Sequence, residues 1–397
     1  MGQQLLIGPM TPRNAVALGL LTMVPVSLAA ERLQWGDTAV FLTAVASIIP
    51  LAVWLSTATE ELSIALGPSI GALLNAVFGN ATELIIALTA LRAGLVDIVK
   101  ASITGTIAAN LLLALGLAML VGGIGRREQT FQPVVARVNG SAMTLAVLAI
   151  LLPSIATMGG GAGREEFSLF VAWGLLVVYG LTLLFSLRTH RTLYAVAEVD
   201  LGPDTTIDAA VVGTDQATEG PDPTGQNPAG APDPHGGGAP PLLPWLAVLA
   251  GATVGIAVES EMFVGVVESV TERVGLSAVF TGVVLLPLLG GVAEYLTAVT
   301  MARKDKMDLA VSVALGSTLL VALLVVPVLV LVGPLMGHPL DLRFEIYELV
   351  AVITAVVVSN LVSLDGRSDW LEGVLLLAAY LIPVSYTHLT LPTNREV

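Results

Sequence analysis

Apolar runs long enough to cross a bilayer follow one another along almost the whole chain. With about 17–25 residues needed to span the hydrocarbon layer, eleven runs qualify. They are Asn14–Ala30, Thr38–Leu55, Gly71–Leu91, Ile98–Gly122, Ser141–Met158, Phe167–Leu187, Trp245–Val264, Ser277–Met301, Leu309–Val332, Ile346–Leu364 and Trp370–Val384. Backbone groups in hydrocarbon must be paired internally, which leaves only helical bundles and closed barrels. The strict alternation of barrel strands is absent. The expected fold is therefore an all-α polytopic membrane protein with eleven transmembrane helices. Charge agrees: only 12% of residues are charged, against about 25% in soluble domains.

A carboxylate sits inside the third run, at Glu83 in Gly79-Asn80-Ala81-Thr82-Glu83-Leu84. A second copy follows at Gly290-Gly291-Val292-Ala293-Glu294-Tyr295, with Glu294 placed 211 positions after Glu83. The offset holds without a gap, pairing Gly71 with Gly282, Gly79 with Gly290, Arg92 with Arg303 and Gly105 with Gly316.

One polar segment, Arg188–Pro241, divides the chain. From Glu198 onward it carries eight acidic residues, eight prolines and no lysine or arginine. Such a stretch cannot bury enough apolar surface to offset its ordering entropy and is expected to be disordered. The resulting plan is residues 1–37 for the N-terminus and first helix, 38–187 for the first five-helix repeat, 188–241 for the linker and 242–384 for the second repeat. Ser385–Val397 shows no helical periodicity and is set aside as an atypical tail of uncertain native origin. Five crossings per half bring the second half in from the opposite side, so the repeats are inverted, as in many secondary transporters. With the N-terminus cytoplasmic, ten loop Lys and Arg residues fall inside and six outside. The positive-inside rule favours that orientation and places the linker in the cytoplasm.

A carboxylate near the bilayer centre costs about 2.5–3.5 kcal/mol on insertion scales, so two at matched positions call for a purpose. Asn80 and Glu83, three residues apart, share a helix face. Gly79 and Gly290 allow close backbone approach. Thr106 and Asn110 lie on the next run, with Ser317 on its mate. Hard cations such as Ca2+ take about 6–8 oxygen ligands, and these residues could supply that set. Ordinary polar packing between helices would equally account for Thr106, Asn110 and Ser317. Two facing ionised glutamates repel, whereas one divalent cation or two protons neutralise the pair. The empty dianion would meet a large desolvation cost in a closed site, which is the logic of obligatory cation–proton exchange. Glu60, Glu61 and Glu261 are weaker candidates for a cation-attracting vestibule. Glu259, Glu261 and Glu268 otherwise read as solvated charges near a loop.

Other classes find little support. The net charge of −14 leaves no basic footprint for nucleic acid. The absence of cysteine removes disulfides and thiolate sites. No hydrolase elbow, HExxH, Walker loop or dinucleotide fingerprint occurs, so neither an enzyme nor a cofactor is expected. The implied partners are the lipid bilayer and the transported cations, and homo-oligomerisation stays open.

With these residues the chain resembles the calcium/proton exchanger (CAX-type) family of the cation/Ca2+ antiporter superfamily. The resemblance covers roughly Ala15 to Ile382. It rests on ATEEL at Ala58–Leu62, LLNAVFGNATELI at Leu73–Ile85 and KASITGTIAANLLLALG at Lys100–Gly116. SLRTH at Ser186–His190, LLPLLGGVAEYLTAV at Leu285–Val299, VALGSTLLVALLVVPVLVL at Val313–Leu331 and DGRSDWLEG at Asp365–Gly373 extend it. It implies an eleven-helix exchanger that expels Ca2+ or a similar cation with the proton gradient. Glu83 and Glu294 would bind cation and proton, with Asn80 beside the first. The second half departs from the family pattern, with Gly291 for an asparagine, Tyr295 for a histidine and Leu320 for a glutamine. Ala109 likewise replaces a serine in the first half. The expected activity is Ca2+/H+ exchange in a prokaryotic plasma membrane. A Na+(K+)/H+ exchanger is the alternative, ahead of a passive channel or non-transporting subunit. The first repeat is expected to dominate coordination, with Glu294 adding mainly charge and a proton site.

Overall fold

The computed structural model describes residues 19–158, 164–189 and 242–389. Nearly all of them are helical. In chain order the helices are α1 (Met23–Arg32), α2 (Asp37–Leu66), α3 (Pro68–Phe78), α4 (Ala81–Arg92), α5 (Val96–Gly123), α6 (Pro133–Met158) and α7 (Arg164–Leu184). After the linker come α8 (Leu242–Val274), α9 (Ala278–Gly290), α10 (Val292–Arg303), α11 (Met307–Met336), α12 (Ile346–Val362) and α13 (Trp370–Leu389). Each of the eleven apolar runs overlaps a helix or a helix pair, with residues 14–18 of the first lying outside the described residues. Among the described residues seven spans are long and apolar enough to cross a membrane, and an eighth is added if the pair α9–α10, bent by 61°, is one span. Two shorter apolar helices, Ile346–Val362 and Trp370–Ser385, accompany them. Nearly all of the expected linker, from residue 190 to 241, lies outside the described residues, as do residues 390–397. The tail expectation needs correcting in one respect: α13 continues through Leu389, so Ser385–Leu389 is helical.

Burial ranks the helices by position. Within its most apolar window α5 is 83% buried, whereas the corresponding figure for α7 and α8 is 22%. α5 is therefore the central post, packed on α9, α11 and α13, and α7 and α8 lie at the periphery. Leu111, Leu112, Leu115 and Met119 on α5 are among the largest side chains wholly removed from the surface. The peripheral helices show the opposite face. Phe170, Trp173, Val177 and Leu181 recur at spacings of three and four along α7 and are all exposed. Helical stripes of this kind suit a hydrocarbon solvent and would aggregate in water.

Several contacts join the connecting segments. Arg126 donates to the carbonyl of Arg303, Gln129 donates to Asp305, and Arg367 pairs with Glu128. A short antiparallel pair, β1 (Gln129–Thr130) with β2 (Arg367–Ser368), joins the same segments. Elsewhere Arg273 pairs with Asp37 and Lys100 with Asp341, while Arg92, at the end of α4, reaches Glu261 inside α8.

Candidate site at the two broken helices

Both repeated glutamates follow a break in their helix. Gly79 and Asn80 separate α3 from α4, so Glu83 falls in the first turn of α4. Gly291 separates α9 from α10, so Glu294 falls in the first turn of α10. The apolar runs alone place both carboxylates in mid-helix, and the breaks move them to helix starts. The break matters because the first backbone N–H groups of a helix have no intrahelical partner and carry partial positive charge. A carboxylate, or the anionic half of an ion site, is favoured there even in an apolar interior. The two breaks differ in shape. The first stays within one span, Leu73–Arg92, while the second turns the chain through 61°.

The repeat recurs in a further device. A π-helical turn occupies Ala109–Ala114 in α5, and another occupies Val321–Val325 in α11. Shifting the first by the 211-residue offset lands it on the second. Such turns insert a residue and re-aim the side chains around them. Asn110 lies in the first turn and is brought toward α11.

Ser317 organises the polar centre. Its hydroxyl oxygen accepts from the Asn80 amide at 2.8 Å and from the Asn110 amide at 3.0 Å. Each asparagine thereby ties up its donor side and leaves its carbonyl oxygen, Oδ1, buried with no partner. Both carboxylate oxygens of Glu83 and the Oε2 of Glu294 are likewise buried and unpartnered. Five acceptor oxygens thus stand without donors near the crossing of the two breaks. Buried acceptors without donors are costly, unless a cation or protons complete them.

Glycines bring the halves together. A Cβ on Gly290 would stand 2.6 Å from Cγ of Glu83, so this glycine receives the opposing glutamate. Gly79 is packed against its own preceding turn, where a Cβ would meet the Asn75 carbonyl at 2.5 Å and Leu320 at 3.3 Å. Thr106, with Ser102, lines a narrow cavity with Glu83, closed by Ile103, Leu286 and Val325. Asn80 and Asn110 are therefore joined through Ser317, Glu83 is seated on Gly290, and Thr106 meets Glu83 around the cavity.

The vestibule candidates lie elsewhere. Glu261 is exposed and paired with Arg92 at 3.1 Å, and Glu60 and Glu61 are half-buried near the end of α2. Among the described residues no group of three or more His, Cys, Asp or Glu is arranged to hold a metal ion. Glu259 corrects an expectation outright. Read as a loop charge, it is completely buried in α8 and accepts a 2.5 Å hydrogen bond from Ser27 of α1. It sits on the face of α8 toward α1 and α2, a periodicity that separates it from exposed Glu261.

The sodium/calcium exchanger protein family model matches residues 37–188 and 244–388. A Ca(2+)/H(+) antiporter of Aphanothece halophytica is 48% identical over 377 residues, covering 94% of this chain and 96% of that protein. The Ca(2+)/H(+) antiporter ChaA of Bacillus subtilis (strain 168) is 37% identical, covering 90% and 94%. Among solved structures, native YfkE superposes with a TM-score of 0.75 at 33% identity, covering 94% of this chain and 99% of that one. The H+/Ca2+ exchanger CAX shares the fold at a TM-score of 0.66 and 13% identity, covering 95% and 92%. On these matches, and on the paired carboxylates that its two halves bring together, the chain belongs to the sodium/calcium exchanger protein family, in its calcium/proton exchanger branch.

Proposed function

We propose that the protein exchanges Ca2+ for protons across a membrane by alternating access, with Glu83 and Glu294 as the carboxylates both ions share. The observation that carries this reading is the buried, acceptor-only set formed by Glu83, Glu294, Asn80 and Asn110. The amide donors that could have neutralised it are turned away onto Ser317. A divalent cation balances the two carboxylates, and so do two protons. Either loaded form is neutral and can be enclosed, whereas the empty dianion resists enclosure. Movement of one ion across the membrane is thereby tied to return of the other. Asn80, Asn110 and Thr106 surround the ion with neutral oxygens, Ser317 holds the two amides by their donor sides, and Gly79 and Gly290 let the broken segments meet around it. Glu60 and Glu61, near the end of α2, add negative charge on the approach, and Glu261, inside α8, does so only together with its partner Arg92.

The same reading includes eleven crossings arranged as one N-terminal helix and two inverted five-helix repeats. It puts the N-terminus and linker in the cytoplasm and the protein in the plasma membrane of a prokaryote. The names of the antiporter relatives support the choice of Ca2+. Reconstituted into proteoliposomes, the protein should accumulate radiolabelled Ca2+ against its gradient when a pH gradient is imposed. Glu83→Gln and Glu294→Gln should each abolish that uptake. Retention of uptake by both variants overturns the assignment. Uptake driven only for Na+ or K+ in the same vesicles would transfer the reading to a monovalent cation exchanger.

A further inference from the structure

The second half shows no counterpart to Asn80: the 211-residue offset places Gly291 there. The offset also places Tyr295 on Leu84 and Pro287 on Ala76. Tyr295 is buried, and its ring folds back over Gly291. Its phenol oxygen lies 2.6 Å from the point where a Cβ on residue 291 would stand. The hydroxyl donates to the Pro287 carbonyl at 3.0 Å, reaching across the bend from α10 to α9. Gly291, over which the ring lies, adjoins Gly290, the seat of Glu83. A side-chain oxygen thus stands at the root of position 291 after all, delivered from one helical turn further along.

We propose that the Tyr295 phenol oxygen is the neutral cation ligand of the second half, the counterpart of the Asn80 amide oxygen, and that bare Gly291 exists to admit it. The proposal rests on the exchange function assigned to the two glutamates. Two features make the substitution chemically equivalent. Asn80 commits its donor to Ser317 and keeps its carbonyl oxygen free. Tyr295 commits its proton to Pro287 and keeps its oxygen lone pairs free. Each ligand is held by a hydrogen bond on its donor side, so each presents only an acceptor. Adjacent glycines complete the match, with Gly290 receiving Glu83 and Gly291 receiving the phenol.

The test compares reconstituted Tyr295→Phe, Tyr295→Leu and the double variant Gly291→Asn/Tyr295→Leu, which gives the second half the residues of the first. Loss of one oxygen to a charged partner should raise the KM for Ca2+ on the order of tenfold in Tyr295→Phe, with a smaller fall in maximal rate. The double variant restores an amide oxygen but not the link to Pro287. Its KM should return toward the wild-type value, unlike that of Tyr295→Leu alone. A Ca2+ titration of thermal unfolding reads the same ligand without transport, and the stabilisation by Ca2+ should shrink in Tyr295→Phe. An unchanged KM and unchanged Ca2+ stabilisation in Tyr295→Phe overturn the proposal. So does a folded double variant with the KM of Tyr295→Leu, which would make Tyr295 a brace for the bend. Glu83→Gln, run alongside, separates the two readings: if it still exchanges Ca2+, the glutamate assignment itself has failed.

Discussion

Glu83 lies directly on Gly290, its Cγ occupying the space where any larger residue would place a Cβ. The carboxylate of one half is thus seated on the backbone of the other, one residue before the bend that presents Glu294. Contact between the halves and placement of the charge are one feature, because nothing separates them.

Gly290→Ala tests that seat. The added methyl would meet Glu83 at 2.6 Å from Cγ and 3.3 Å from Cδ, so the carboxylate must shift away. Position 290 is helical, where alanine is favoured over glycine by about 1 kcal/mol, so the variant should fold. The expected result is a thermal midpoint within a few degrees of wild type and Ca2+/H+ exchange reduced at least roughly tenfold, as a displaced ligand predicts. Flux measured in proteoliposomes beside a melting curve in detergent checks both halves of the statement. Normal flux would show that the Glu83–Gly290 contact does not position the site.

The sequence carried much of this arrangement because hydrocarbon imposes long apolar runs and an internal repeat preserves spacing. Glu83, Glu294 and the offset joining them needed only those two signals. Other features depended on partners that spacing cannot show. The breaks before Glu83 and Glu294 read as uninterrupted apolar helix, since glycine alone does not mark a bend. Pro287, four residues before Gly291, was the available signal for the sharper one. Glu259 read as a loop charge because its partner, Ser27, lies 232 residues away on another helix. Tyr295 read as a loss of polarity, since only the folded chain shows its phenol returning over Gly291.

Asp341, on the connection between α11 and α12, gives a pH-dependent test away from the site. Burial pushes its carboxyl up, but hydrogen bonds and charge from Lys100 and Arg343 outweigh that and hold it below its ordinary 3.8. The folded state therefore binds this proton more weakly than the unfolded chain. The resulting stability is complete above 3.8 and is lost as pH falls through the lower folded value. Asp341→Asn should accordingly destabilise the protein at neutral pH by on the order of 1 kcal/mol, read as a lower melting temperature. The gap to wild type should stay constant above about pH 5 and close as the medium is acidified below the ordinary carboxylate range. Melting curves of the two proteins across pH decide it. A gap that persists in acid would assign the effect to packing instead of charge.

The matched glycines Gly105 and Gly316 occupy unlike surroundings, and the difference bears on how the site is reached. At Gly105, α5 lies against the backbone of α9, where a Cβ would stand 2.5 Å from Cα of Val283. At Gly316, on α11, a Cβ would meet nothing within 4 Å. One end of the pseudo-symmetric pair is closed and its counterpart is open. Gly105→Ala should therefore force two helices apart and cost about 1–3 kcal/mol of stability, as overpacking does. Gly316→Ala should leave the melting temperature unchanged or slightly raised. Its effect on transport should be the opposite of neutral. If the two halves are inverted, as proposed, and exchange roles during each cycle, the space beside Gly316 closes as tightly as that beside Gly105 does here. A methyl group there then blocks the alternate state and lowers exchange flux severalfold, with Ca2+ stabilisation of the resting protein retained. Melting curves with and without Ca2+, read beside flux in proteoliposomes, separate the outcomes. Full flux in Gly316→Ala would mean that the halves do not trade places at this contact.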